Sequence, residues 1–146
     1  FPTELFDSTG ERMAKIGNEF GATTGRPRRC GWLDLVSLKH SITVNGVTDL
    51  IMMKGDVLSG IDKIKVCTKY NYNGEVVDYM PFSIMDENIE PIYDEIDGWE
   101  EDITQAKSYN DLPLNFKNYV AFLEDKLNLK IKIASVGPDR KQTIFV

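Results

Sequence analysis

Cysteine and histidine are scarce in this chain, which has 2 Cys and 1 His among 146 residues. Cys30 and Cys67 lie far apart and form no C-x-x-C pair, so a disulfide framework gives way to two reduced, partly buried thiols. The lone His40 falls within a stretch that reads as helix, among residues suited to packing, and is not a convincing catalytic group. No apolar run approaches the roughly 20 residues that span a bilayer, and no charged-then-apolar leader opens the sequence. A soluble, cytoplasmic chain with no membrane partner is expected. Positive charge is also short: the formal net charge is −6. General nucleic-acid binding neutralises many phosphates with surplus Lys and Arg, so no nucleic-acid partner is expected. The length suits about one domain. The opening Phe1-Pro2-Thr3-Glu4-Leu5 lacks an initiator methionine and reads as the interior of a longer protein.

The positive charge that exists is concentrated. The run from Gly17 to Trp32 holds Arg26, Arg28 and Arg29, the hydroxyls of Thr23 and Thr24, and Gly17, Gly21, Gly25 and Gly31. Guanidinium groups present a planar fork of donors to carboxylate or phosphate oxygens, and glycines let backbone amides approach the same ligand. Arg26 and Arg28 flank Pro27 in chain that must be extended, so both side chains should point the same way. The run reads as an anion-binding loop; the plainer reading is a solvated basic turn.

Helical periodicity predicts a first helix over Ser8 to Asn18, with Ser8 to Glu11 at capping-box spacing and Met13, Ile16 and Phe20 on one stripe. A second should begin near Trp32 or Leu33, carry Leu35, Leu38 and Ile42, and stop at Asn45-Gly46. Its entrance would then hold the arginine loop beside the amide donors of its first turn. Leu50 to Met53 is a short apolar run expected to be a strand buried on both faces. Ile64, Val66, Thr68 and Tyr70 alternate with Lys63, Lys65, Cys67 and Lys69 in a half-exposed strand, and Asn73-Gly74 turns it tightly into Val76 to Met80. Pro113, Phe116, Val120, Leu123 and Leu127 mark a third helix. Leu129, Ile131 and Ile133 form a last strand that runs out into Ser135 to Arg140, where Asp139 and Arg140 pair with each other or cap a turn. The acids between Asp86 and Asp102 lack the alternate-position ladder of a calcium loop and read as a solvated face. The sum is an α/β chain: a mixed sheet with flanking helices and a β-hairpin, in a single domain.

Loops leaving the carboxyl ends of strands are the favoured ligand sites in such sheets. Lys54-Gly55-Asp56 follows one strand, and its carboxylate can accept from the N1 and 2-amino donors of guanine while the lysine stem lies along the purine face. Adenine lacks that donor pair. Ser135-Val136-Gly137 follows another strand, where a hydroxyl and amides could donate to a guanine carbonyl. Each pattern by itself is also common in plain turns.

The string GNEFGATTGRPRRCGWLD closely resembles the substrate loop of the adenylosuccinate synthetase family. Lys54-Gly55-Asp56-Val57-Leu58 and the later SVGPDR fit that family's guanine loops, and the resemblance runs from Phe1 to nearly the last residue. It implies a ligase of purine biosynthesis that joins L-aspartate to inosine monophosphate (IMP) at the expense of GTP, with magnesium, as a homodimer. In that scheme Ala22, Thr23, Thr24, Gly25, Arg26, Pro27 and Arg28 form the mobile loop around aspartate and IMP, with Arg26 bridging the two substrates. Arg28, Lys54, Gly55, Asp56, Ser135, Val136 and Gly137 serve the GTP. The family often carries threonine before the lysine and a larger residue at the position of Gly55, so Met53 and Gly55 depart from the pattern and a looser loop is expected. The family's glycine-rich phosphate loop, catalytic aspartate and histidine, and magnesium ligands have no counterpart here. The resemblance therefore implies a carboxyl-terminal part of a larger P-loop-NTPase-like synthetase fold, with no catalytic and no metal-binding residue of its own and no turnover alone. A stand-alone nucleotide- or anion-binding module is the alternative.

Overall fold

A computed structural model describes residues 1–83 and 88–146. Asp86 and Glu87, the first of the acidic group, lie outside the described residues. The chain divides into two compact units, one of Phe1–Ser41 with Lys65–Glu95 and one of Ile42–Ile64 with Ile96–Val146.

In the first unit, α1 (Ser8–Ile16) is capped by Asp7, whose carboxylate accepts from the amides of Thr9 and Gly10. The cap is thus one residue earlier than Ser8, because an aspartate there reaches two of the free amides of the first turn. Met13 is buried, but Ile16 and Phe20 are exposed. β1 (Leu33–Asp34) occupies the expected start of the second helix, and α2 (Leu35–Asn45) follows. Asn45-Gly46 does end it, with Gly46 at φ +61°. β1 pairs in parallel with β3 (Lys63–Tyr72), and β3 turns through Asn73-Gly74, both at positive φ, into antiparallel β4 (Glu75–Val77). Val36, Cys67, Tyr70 and Val77 form the core of this unit, with Tyr72, Ile89 and Tyr93 packed against it.

The acidic stretch does present a solvated face, with Glu90, Glu95, Asp97, Glu100, Glu101 and Asp102 exposed, but much of it is regular structure. Ile89–Asp97 is a strand, β5, that pairs with β3. Its acids meet β3 in order: Lys65 faces Glu95 at 3.5 Å, the Thr68 hydroxyl donates to Asp94, and Asn71 donates to Glu90. Lys63 and Asp97 pair in the second unit. The alternating lysines of β3 thus found their complement in a strand that the acid content had disguised.

The second unit carries a separate three-stranded sheet, so the strands divide between two mixed sheets. β2 (Asp49–Met52) pairs in parallel with β6 (Lys130–Ser135), which pairs antiparallel with β7 (Thr143–Phe145). β2 is an edge strand, and Ile51 and Met53 are exposed, not buried on both faces as expected. α3 (Leu114–Leu127) begins after Pro113 and buries Phe116, Val120, Leu123 and Leu127 as its periodicity predicts. It ends at Asn128 in the left-handed region. Trp99 packs edge-on against Phe116 at 4.9 Å between ring centroids and donates its indole N–H to Ser59.

Candidate functional site

The arginine loop in the first unit closes on itself. The amide of Gly21 donates to the Arg26 carbonyl, that of Gly25 to the Gly21 carbonyl, and that of Arg28 to the Glu19 carbonyl, each within 2.9 Å. Gly25 sits at φ +65°, a conformation that glycine adopts without strain. Thr24 Oγ1 accepts from the Arg26 amide at 3.3 Å and holds the bend. Residues 22–29 are all exposed.

The three guanidinium groups differ in their surroundings. Arg28 is paired with Glu19 at 3.2 Å, and Arg29 with Glu4 at 3.2 Å while lying over the Phe1 ring. Arg26 has no carboxylate partner among the described residues. Its charge is the one that the loop leaves uncompensated. The expected support from the start of α2 is absent: β1 intervenes, and the Ser37 amide at that start donates to Asp34 at 3.0 Å. A carboxylate already fills the place that an anion would take.

In the second unit the two other loops come together, for a reason set by topology. β2 and β6 are parallel, with Met52 opposite Ala134, so their carboxyl ends open on the same edge and Lys54–Asp56 emerges beside Ser135–Gly137. Lys54 adopts φ 60°, turning the chain into a short 3-10 helix over Gly55–Leu58. A Cβ on Gly55 would stand 2.8 Å from the Phe116 ring and 3.3 Å from the Ser135 carbonyl oxygen. Gly55 therefore does not loosen the loop: it is buried, and its lack of a side chain lets the two loops close on each other. Asp56 Oδ1 is enclosed and finds no hydrogen-bond partner among the described residues. A buried polar atom normally has one, so this carboxylate keeps accepting capacity that the protein does not use.

The second loop spends most of its donors internally. Ser135 is buried, and its hydroxyl donates to the Gly137 carbonyl at 3.0 Å. The Val136 amide donates to the Gln142 carbonyl at 2.9 Å. The donors expected to face a ligand from Ser135 and Val136 are thus engaged within the loop. Asp139 caps the 3-10 turn Arg140–Gln142, as expected of it, by accepting from the Lys141 amide. Sequence reasoning missed Gln142 and β7, because three strand residues carry too little periodicity to register. His40 is exposed on α2. No group of His, Cys, Asp and Glu among the described residues could hold a metal ion.

Fold and loops define a class: a mixed α/β protein in which parallel strands present paired polar loops at their carboxyl ends, one loop bearing a carboxylate with unused bonding capacity. A family model for adenylosuccinate synthetase matches residues 1–144. The adenylosuccinate synthetase of Christiangramia forsetii is 64% identical over 99% of this chain and 34% of the relative; that of Flavobacterium johnsoniae is 58% identical over the same shares. The fully ligated adenylosuccinate synthetase of Plasmodium falciparum superposes with a TM-score of 0.94 at 36% identity, covering 100% of this chain and 36% of that one. The chain belongs to the adenylosuccinate synthetase family. It spans about a third of the length of these relatives.

Proposed function

We propose that this chain is the part of a GTP-dependent adenylosuccinate synthetase that grips aspartate and IMP through its arginine loop and the guanine base through its paired loops. The observation that carries the reading is Asp56 Oδ1, an enclosed carboxylate oxygen without a partner on a loop packed against Ser135. A guanine base supplies N1–H and 2-amino donors that suit a carboxylate, and adenine has no such pair. Lys54, Gly55 and Asp56 shape one side of that base site, and Ser135, Val136 and Gly137 the other.

In this reading Ala22 to Arg28 close over aspartate and IMP. Thr23 and Thr24 lie near the amino-acid carboxylates, Arg26 bridges the two substrates, and Arg28 turns toward the nucleotide phosphates, where fixed positive charge stabilises developing negative charge. The whole enzyme transfers the terminal phosphoryl group of GTP to the base oxygen of IMP, releasing GDP. The aspartate amine then forms the new C–N bond as the C–O bond to phosphate breaks and a proton is lost. Magnesium neutralises phosphate charge in such transfers, and its ligands are assigned to the two-thirds of family length outside this chain. The 146 residues bind and orient but do not turn over alone. A cytoplasmic homodimer in one domain-sized part per chain completes the proposal.

Calorimetric titration with GDP, with ADP as control and at two salt concentrations, tests it. Binding of GDP in preference to ADP at both salts is expected. Equal, salt-sensitive binding of both would instead favour a plain anion module acting through the arginine loop, and binding of neither would remove the base-site assignment.

A further inference from the structure

We infer that Gln142 is a positioning residue of the Ser135–Gly137 loop: it brackets Gly137 and leaves that residue's N–H as the one backbone donor between Val136 and Asp139 without an acceptor among the described residues. The inference rests on the guanine reading above. Between Val136 and Asp139 the backbone offers three N–H groups, Pro138 having none. Two of them go to the same residue. The Val136 amide donates to the Gln142 carbonyl at 2.9 Å, and the Asp139 amide to Gln142 Oε1 at 2.8 Å. The Gly137 N–H has no acceptor among the described residues.

The other end of the side chain is tied down as well. Gln142 Nε2 donates to the Thr104 carbonyl at 3.0 Å, and the Thr104 amide is itself held by Asp102 at 2.9 Å. A glutamine amide fixed through both its oxygen and its nitrogen has a single orientation. That amide fills the space beside Gly137: a Cβ there would overlap its terminal atoms. Gly137 is not at positive φ, so the glycine is required for room and not for backbone freedom. Adding a methyl group would push a flexible side-chain end aside and break two hydrogen bonds while sparing the fold. Gly137→Ala and Gln142→Ala should therefore have the same effect.

The test is a double-mutant cycle on the full chain, reading Kd for GDP, ADP and IMP and the thermal midpoint. Gln142→Ala is expected to weaken GDP about tenfold, the worth of one or two hydrogen bonds, leaving ADP and IMP unchanged, so that the preference for guanine narrows. Gly137→Ala should match it, and the double variant should be no worse than either. Unchanged GDP affinity in Gln142→Ala, equal weakening of all three ligands, or additive losses would overturn the inference. Failure of the unaltered protein to bind GDP would sink the nucleotide reading instead. The bracket would then be judged on the thermal midpoints of the four proteins, where additivity overturns it.

Discussion

Gly55 shows how far a residue's role can lie from its neighbours in sequence. Judged locally, a glycine between Lys54 and Asp56 promises a slack loop. Its constraint is the ring of Phe116, which α3 brings within 2.8 Å of where a Cβ would stand. Gly55→Ala is expected to destabilise by about 1–3 kcal/mol through overpacking, and Phe116→Leu in the same chain should return part of the loss. Urea unfolding of the three proteins checks this; an unchanged midpoint in Gly55→Ala would mean that the ring yields freely. Lys54 and Asp56 were legible as ligand candidates because their chemistry is carried by side chains. Gln142 was not, because its importance lies in what it bonds across space: its own loop and Thr104.

At the level of elements, the helices and the hairpin were readable and three strands, β1, β5 and β7, were not. α3 advertises itself by apolar residues on one stripe, and Asn73-Gly74 by its need for positive φ. β5 hid because its acids answer lysines on β3, a pairing that appears only when both strands are present. Buried groups on β3 and β5 add to the chain's response to alkali, beside Tyr119 on α3, which burial also pushes up. Burial and then the nearby Asp34 carboxylate push the Cys67 thiol up from 9.0 to about 12. Burial, Cys67 and Asp34 push Tyr93 up from 10.0 to about 12. Burial and the hydrogen bond it donates to Asp34 raise Tyr70 further. All four groups are held neutral in the fold and ionise more readily once unfolded. Their contribution is complete below the ordinary values and is lost as pH rises toward the folded ones, so stability should fall from about pH 9 to 12. Thermal midpoints across that range, with tyrosinate absorbance recorded in parallel, test the expectation. A flat profile would show that burial does not hold these groups neutral.

At the scale of the molecule, the second sheet leaves one apolar row open. Ile51, Ile133 and Phe145 stand opposite one another across β2, β6 and β7, with Ile51 60% and Phe145 78% exposed. Exposed apolar rows of this kind mark covered or associating surfaces, and the chain spans about a third of its relatives' length. The 146-residue chain alone is expected to self-associate as concentration rises, and Ile51→Lys with Phe145→Lys to reduce this; sedimentation velocity measures it. Equal association in both would locate the contact elsewhere. The pairing of β2 with β6 also joins residues 49–52 to residues 130–134, across most of the sequence. Such distant partners form late, because the intervening chain must first be brought together. On the ribosome, Leu50 to Met53 therefore waits without its neighbour until nearly the whole stretch has been synthesised. For that interval it is a bare apolar segment of the sort that chaperones hold.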